Sequence, residues 1–169
     1  QVLNTPQLTL ELNLPGRRVG QSVAGAGDMT GDGYYEVIVG APTTTQGETE
    51  EGVAYVLRGS PAGSTGAGIM TIQSNQVGAH LGTSVAEAGD VNGDGQTEVV
   101  VSCENWHFYC LDAKGTDLWA FEVEHAGQEG ALGDLKGDGK LETLCGQEYY
   151  GWDVLDSAGK RLYVVSGPG

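Results

Sequence analysis

A nine-residue pattern of oxygen-bearing side chains occurs three times in this chain and limits what it can fold into. In DVNGDGQTE, residues 90–98, Asp90, Asn92 and Asp94 alternate, Gly95 follows and Glu98 closes the set. The pattern returns as Asp28, Thr30, Asp32, Gly33 and Glu36 in GDMTGDGYYEVIVG, and as Asp134, Lys136, Asp138, Gly139 and Glu142 in GDLKGDGKLETLCG. The first aspartates lie 62 (90 − 28) and 44 (134 − 90) residues apart. Self-similarity at that scale marks a repeat architecture. A hard cation such as calcium takes about six to eight oxygen ligands. Side chains at positions 1, 3, 5 and 9 of each loop, with the backbone carbonyl at position 7 (Tyr34, Gln96, Lys140), supply most of such a set. Glycines such as Gly93 and Gly95 let the backbone fold back on itself. The same residue types also make ordinary turns between strands. One copy alone allows both readings; three copies in register favour the cation.

Short apolar runs follow the loops, and each repeat reads as four strands. The small-residue stretches QSVAGA (21–26) and TSVAEA (83–88) suit an inner strand at a crowded axis. Second strands are expected at 36–39, 98–103 and 142–145, third strands at 53–58, 107–112 and 152–156, and fourth strands at 68–73, 117–123 and 160–165. The turn after the second strand is long in the first copy, 41–52. FYCLDAKGTDLW (108–119) superposes on WDVLDSAGKRLY (152–163), with Gly115 and Gly159 in one turn position. A four-stranded antiparallel meander of this size is a propeller blade. The expected fold class is all-β: three four-stranded antiparallel propeller-type blades, an incomplete propeller in one chain, plus an extra N-terminal strand. LTLEL (8–12) alternates apolar and polar as a strand does. LTLELNLPGRRVG (8–20) lines up with MTIQSNQVGAHLG (70–82) at the shift of 62, so the chain begins with the last strand of a repeat. The expected division is an outer strand in 1–15 and blades at 16–77, 78–124 and 125–169.

The net charge of −15 argues against nucleic acid and against an anionic membrane surface. Nine of the 23 acidic residues sit in the three loops, so bound cations would relieve much of the self-repulsion. No apolar run of about twenty residues exists to span a membrane. No secretory leader is visible, and a start at Gln1 suits a processed chain or an excised segment. The polar stretch Thr43, Thr44 and Thr45 reads as a solvated loop, with O-linked sugar as the alternative. Cys103 and Cys110 flank a hairpin tip, ENWHFY, and would face each other across it, which permits a disulfide in an oxidising compartment. Cys145 aligns with Val101 under the shift of 44 and reads as a small buried apolar residue.

GDMTGDGYYEVIVGAP and GDVNGDGQTEVVVS resemble FG-GAP repeats, the blades of the integrin α-subunit propeller. GDLKGDGKLETLCG resembles the related VCBS-type blades of secreted bacterial proteins, and YCLDAKGTDLW is similar to PQQ-type blades. The resemblance covers about 8–165. It implies a calcium ion in each loop, held by Asp28, Thr30, Asp32, Tyr34 and Glu36; by Asp90, Asn92, Asp94, Gln96 and Glu98; and by Asp134, Asp138, Lys140 and Glu142. Thr30 is a weaker ligand than the usual Asn or Asp. Lys136 brings a positive charge to position 3 of the third loop and lowers its affinity. The loops therefore rank second, first, third.

Propellers close with about four to eight blades, so three blades imply either a fragment or several copies. A leading strand with no home in its own chain could complete the sheet edge of the next copy, giving head-to-tail rings or filaments. No catalytic constellation is visible: His80, His107 and His125 lie at strand ends, and Asp112 and Asp156 read as caps of their turns. The expected function is that of an extracellular, secreted or cell-surface, structural or adhesive protein stabilised by calcium, not an enzyme. The alternative is a glycan-binding propeller or a fragment of a polysaccharide-active enzyme, with Trp106 and Tyr150 coinciding at blade tips beside Tyr149.

Overall fold

The computed structural model describes residues 18–63, 68–124, 129–147 and 151–166. The leading strand at 8–12, His125, Tyr149 and Tyr150 lie outside the described residues. Every element within them is a strand, and none is a helix. Twelve strands form three antiparallel four-stranded sheets, each a simple meander. The first holds β1 (Ser22–Gly27), β2 (Glu36–Ala41), β3 (Val53–Leu57) and β4 (Gly68–Gln73). The second holds β5 (Val85–Gly89), β6 (Glu98–Ser102), β7 (His107–Leu111) and β8 (Asp117–Glu122). The third holds β9 (Gly130–Gly133), β10 (Glu142–Gln147), β11 (Gly151–Leu155) and β12 (Arg161–Val165).

The sequence repeat is also a repeat of register. The pairs Val56↔Met70, Cys110↔Trp119 and Val154↔Tyr163 occupy equivalent places, and in all three sheets the ladder slips one step later. Innermost strands stand side by side, β1 with β5 and β5 with β9. Just before β3 and β5 the first two sheets also meet backbone to backbone, at the bridge between Gly52 and Leu81. At Gly52 (φ +78) a Cβ would lie 2.1 Å from the Leu81 nitrogen, and Leu81 N–H donates to the Glu51 carbonyl at 2.9 Å.

Two apolar layers lie between the sheets. Val99 and Val101 of β6 join Ile38, Ala54, Val56 and Met29 in the first layer, and Val100 joins Phe108, Cys145 and Leu155 in the second. Successive strand residues point to opposite faces, so one strand, fully buried along its length, serves both layers. Burying a side chain of this size stabilises by about 1.5–3 kcal/mol. The outer strands β4 and β8 also reach the next sheet. A Cβ on Gly115 would lie 3.2 Å from the Met70 sulfur, and one on Gly159 would lie 2.5 Å from Trp119. The Trp119 indole N–H donates to the Ser157 carbonyl at 3.2 Å. Arg161 lies over the Phe121 ring at 5.3 Å and binds the buried Asp153 at 2.8 Å.

Two expectations are corrected. Cys103 and Cys110 do not face each other. Cys103 N–H pairs with the His107 carbonyl and Cys110 pairs with Val100, so the two thiols fall in different apolar layers and stay free. All three cysteines are buried, Cys145 among them. The stretch Thr43, Thr44 and Thr45 is not a plain solvated loop: Thr44 is fully buried, as is Glu51 later in the same turn. The Glu51 carboxylate accepts the N–H groups of Gln46, Gly47 and Glu48.

Candidate metal centres

Each acidic loop joins an inner strand to the second strand of its sheet, and all three share one internal geometry. The first aspartate folds the loop around its carboxylate. Asp90 accepts Gly93 N–H (2.7 Å), Asp94 N–H (3.1 Å) and Gly95 N–H (3.0 Å). Asp134 accepts Gly137 (2.6 Å), Asp138 (3.1 Å) and Gly139 (2.9 Å). Asp28 accepts Asp32 (3.0 Å) and Gly33 (2.9 Å). The aspartate at position 5 takes the N–H of position 7: Asp32 from Tyr34, Asp94 from Gln96, Asp138 from Lys140. Both glycines of every loop have positive φ, for example 81° at Gly93 and 87° at Gly95, where a side chain would be strained.

Position 9 is the buried member. Glu36, Glu98 and Glu142 are almost wholly out of water, at the first residue of β2, β6 and β10. One oxygen of each turns back to the N–H of position 2: Met29 at 3.0 Å, Val91 at 2.8 Å and Leu135 at 2.9 Å. A buried carboxylate must find partners for its remaining lone pairs, and here the loops diverge. The other Glu36 oxygen accepts Gly59 N–H at 3.2 Å. Glu98 accepts the Asn92 amide N–H at 3.1 Å, and that amide also reaches Asp94 at 3.3 Å. Glu142 receives the Lys136 ammonium at 2.8 Å.

The electrostatics follow. Burial pushes the Glu98 carboxyl up, and the neighbouring Asp94 and Asp90 carboxylates push it further, against the Val91 and Asn92 N–H groups. In the third loop the bond to Glu142 raises the Lys136 ammonium. The Gly139 N–H, with those of Gly137 and Asp138, holds Asp134 below the ordinary carboxylate range.

All the loop donors are oxygens, the ligand type that suits calcium or magnesium. In the first loop the Thr30 hydroxyl oxygen is buried with no hydrogen-bond partner, at position 3, where a ligand is expected. In the second, the Asn92 amide bridges two carboxylates; turned over, it presents its oxygen to the same space. The carboxylates are engaged with backbone N–H groups, and among the described residues no three His, Cys, Asp or Glu side chains converge closely enough to hold an ion as they now stand. The first two donor sets suit a hard cation. The third, with an ammonium on its buried carboxylate, does not.

Sequence reasoning missed the residues that link one loop to the next. Thr97, at position 8, donates its hydroxyl to the Ala26 carbonyl at 2.7 Å, joining the second loop to the first sheet. Its third-loop equivalent, Leu141, lies against Gly89. The repeat shift pairs these two positions, but only the stacking of sheets gives the pairing a meaning. Trp106 stands half exposed at the β6–β7 turn. His107 stacks on Tyr109, and His80 binds Glu104 at 2.6 Å. Asp112 and Asp156 each accept two N–H groups of their turns.

Three meandering sheets, each with an acidic loop behind its inner strand, form a propeller-type β segment, and residues 19–57, in the first sheet, match the family model of the FG-GAP repeat. Among curated proteins the chain is similar to integrin alpha pat-2 of Caenorhabditis briggsae, 39% identical over 88 residues, which is 50% of this chain and 7% of that protein. It is also similar to integrin alpha-5 of Xenopus laevis, 29% identical over 102 residues, or 58% of this chain and 10% of that one. The chain thus spans a small part of the relatives it matches. Among solved structures it superposes on a chain from a crystal structure of BBS1N in complex with ARL6DN, soaked with lead. There the TM-score is 0.60 at 14% identity, over 87% of this chain and 39% of that one. At that identity the likeness is one of fold.

Proposed function

We propose that this chain is a calcium-stabilised segment of an extracellular, adhesion-type propeller, whose acidic loops hold cations for structure and not for chemistry. The observation that carries the reading is the buried glutamate at the end of each loop, turned back onto a loop of oxygen donors. In the first two loops Asp28, Thr30, Asp32, Glu36 and the Tyr34 carbonyl, and Asp90, Asn92, Asp94, Glu98 and the Gln96 carbonyl, would hold the ion. Calcium would supply positive charge among carboxylates that otherwise repel one another. The integrin α relatives support a cell-surface setting and a protein partner. The test is thermal melting with EDTA and with excess calcium: the melting temperature rises with calcium, and an unchanged melt refutes the reading.

We also propose that the chain joins further blades of the same kind, a second copy head to tail being the simplest. The support is a contact that recurs inside the molecule and is, among the described residues, left half-made at both ends. Met70 and Trp119 each reach the glycine turn of the following sheet. Tyr163, in the equivalent register, is 50% exposed. The equivalent glycine of the first sheet, Gly63, closes its turn through a bond from its N–H to the Ser60 carbonyl at 2.9 Å, and a Cβ there would meet nothing within 4 Å among the described residues. A plug at one end and a socket at the other suit a heterologous interface. Sedimentation of the purified chain at a mass above 17.6 kDa, reduced by Tyr163→Asp, is the expected result; a stable monomer refutes the head-to-tail arrangement.

A further inference from the structure

The three loops share most of their backbone hydrogen bonds, including that from position 2 to the buried glutamate, and differ in what meets that glutamate's inner oxygen. In the first two loops that partner is an uncharged group, Gly59 N–H for Glu36 and the Asn92 amide for Glu98. In the third it is the Lys136 ammonium, at 2.8 Å from a Glu142 carboxylate that is 1% exposed. Lys136 comes from position 3, the position that offers Thr30 and Asn92 as oxygen donors in the other loops. Its donors point at the carboxylate that a cation would need, and it has no acceptor to offer one. Charge acts in the same direction. Residues 28–36 and 90–98 each carry three carboxylates and no basic side chain, whereas residues 134–142 carry three carboxylates against Lys136 and Lys140, a formal −1 instead of −3. Calcium affinity in such loops is set by ligand charge count as well as geometry.

We propose that Lys136 is a built-in substitute for the cation: its ammonium holds the third loop in shape, so that this loop takes no calcium while the first two do. The lysine bridges loop and strand through Glu142, as an ion would, but does so at any calcium concentration. The third blade is then the permanently locked member of the set. The inference rests on the calcium reading of the first two loops, and the experiment separates the two.

The full chain, stripped with EDTA and dialysed free of it, is titrated with calcium chloride in a calorimeter, with equilibrium dialysis as a second count. The expected result is about two ions per wild-type chain and about three for Lys136→Asn, which restores an oxygen donor at position 3. In EDTA, Lys136→Asn should melt lower than wild type, and calcium should recover the loss. Three ions on the wild-type chain, or a folded Lys136→Asn that still takes two, overturns the substitution by lysine and leaves the calcium reading standing. No ion on the wild-type chain overturns the calcium reading and this inference with it. Should Lys136→Asn fail to fold, the wild-type count decides: two supports the proposal and three refutes it.

Discussion

Glu98→Gln separates the two roles that the buried glutamate plays. Glutamine has nearly the same volume, and its carbonyl can still accept Val91 N–H, now 2.8 Å from Glu98. Its amide N–H₂ would face Asn92, whose own amide can turn to present oxygen. What disappears is a buried negative charge beside Asp94 and Asp90, which together with burial push Glu98 up. Without calcium the substitution should therefore cost little, within about 1 kcal/mol of zero and on the stabilising side, since a buried charge with no countercharge is itself unfavourable. With calcium the outcome reverses. A single site stabilises by about 2.7 kcal/mol when the free ion is at about 100 times its Kd, or roughly 5–11 °C in a chain of this size. Glu98→Gln should lose the contribution of the second loop and keep that of the first, so about half the calcium-induced rise in Tm remains. The assay is differential scanning calorimetry in EDTA and in excess calcium. The pH dependence adds a check. A folded-state pKa above the unfolded one means that the folded form holds the proton more tightly. The calcium-free wild type should lose stability as pH rises from the ordinary carboxylate range through the raised value, and the variant should lack that component. A fall of many degrees in EDTA, or a full calcium response in the variant, would refute the reasoning.

Three further outcomes are expected. Phe108, fully buried between the second and third sheets, should cost about 3–5 kcal/mol on replacement by Ala, read by urea denaturation; a loss under 1 kcal/mol would mean that these sheets do not share a core. Burial pushes the Cys103 and Cys110 thiols up to about 12. They should resist thiol reagents in the native state at pH 8, and stability should fall as pH climbs through about 9, where thiols of the unfolded chain ionise and those of the folded chain do not; rapid labelling of a folded sample would contradict their placement. Asp112 is held low: burial pushes its carboxyl up, but the Thr116 and Lys114 N–H groups outweigh that. Its stabilisation is present above the ordinary carboxylate range and lost as pH falls through the lowered value, and Asp112→Ala should remove it at neutral pH. Thermal melts of the two proteins between pH 2 and 7 compare them, and identical curves would exclude the turn cap.

Much of the architecture was legible because its determinants are local in the chain. The first aspartate of each loop bonds residues four and five places on, and in the second and third loops also the residue three places on, so spacing alone indicated the shape. Each sheet is a meander, so strand order followed sequence order, and β4 at Gly68–Gln73 falls where the alternation put it. Lys136 stood out as a foreign charge in the third loop. That its ammonium rests on the buried Glu142 required side-chain geometry.

The chain by itself determined the repeat, the oxygen-rich loops and the order of strands, because these depend on residues within a few positions of one another or on neighbouring strands. Only the stacking of the sheets decided the rest. Cys103 and Cys110 fall in separate layers because the two faces of one sheet meet different neighbours. Met70 and Trp119 fill the glycine turns of the following sheets while Tyr163 fills none among the described residues. Contacts of that kind join residues more than thirty positions apart, and no spacing within a single repeat encodes them.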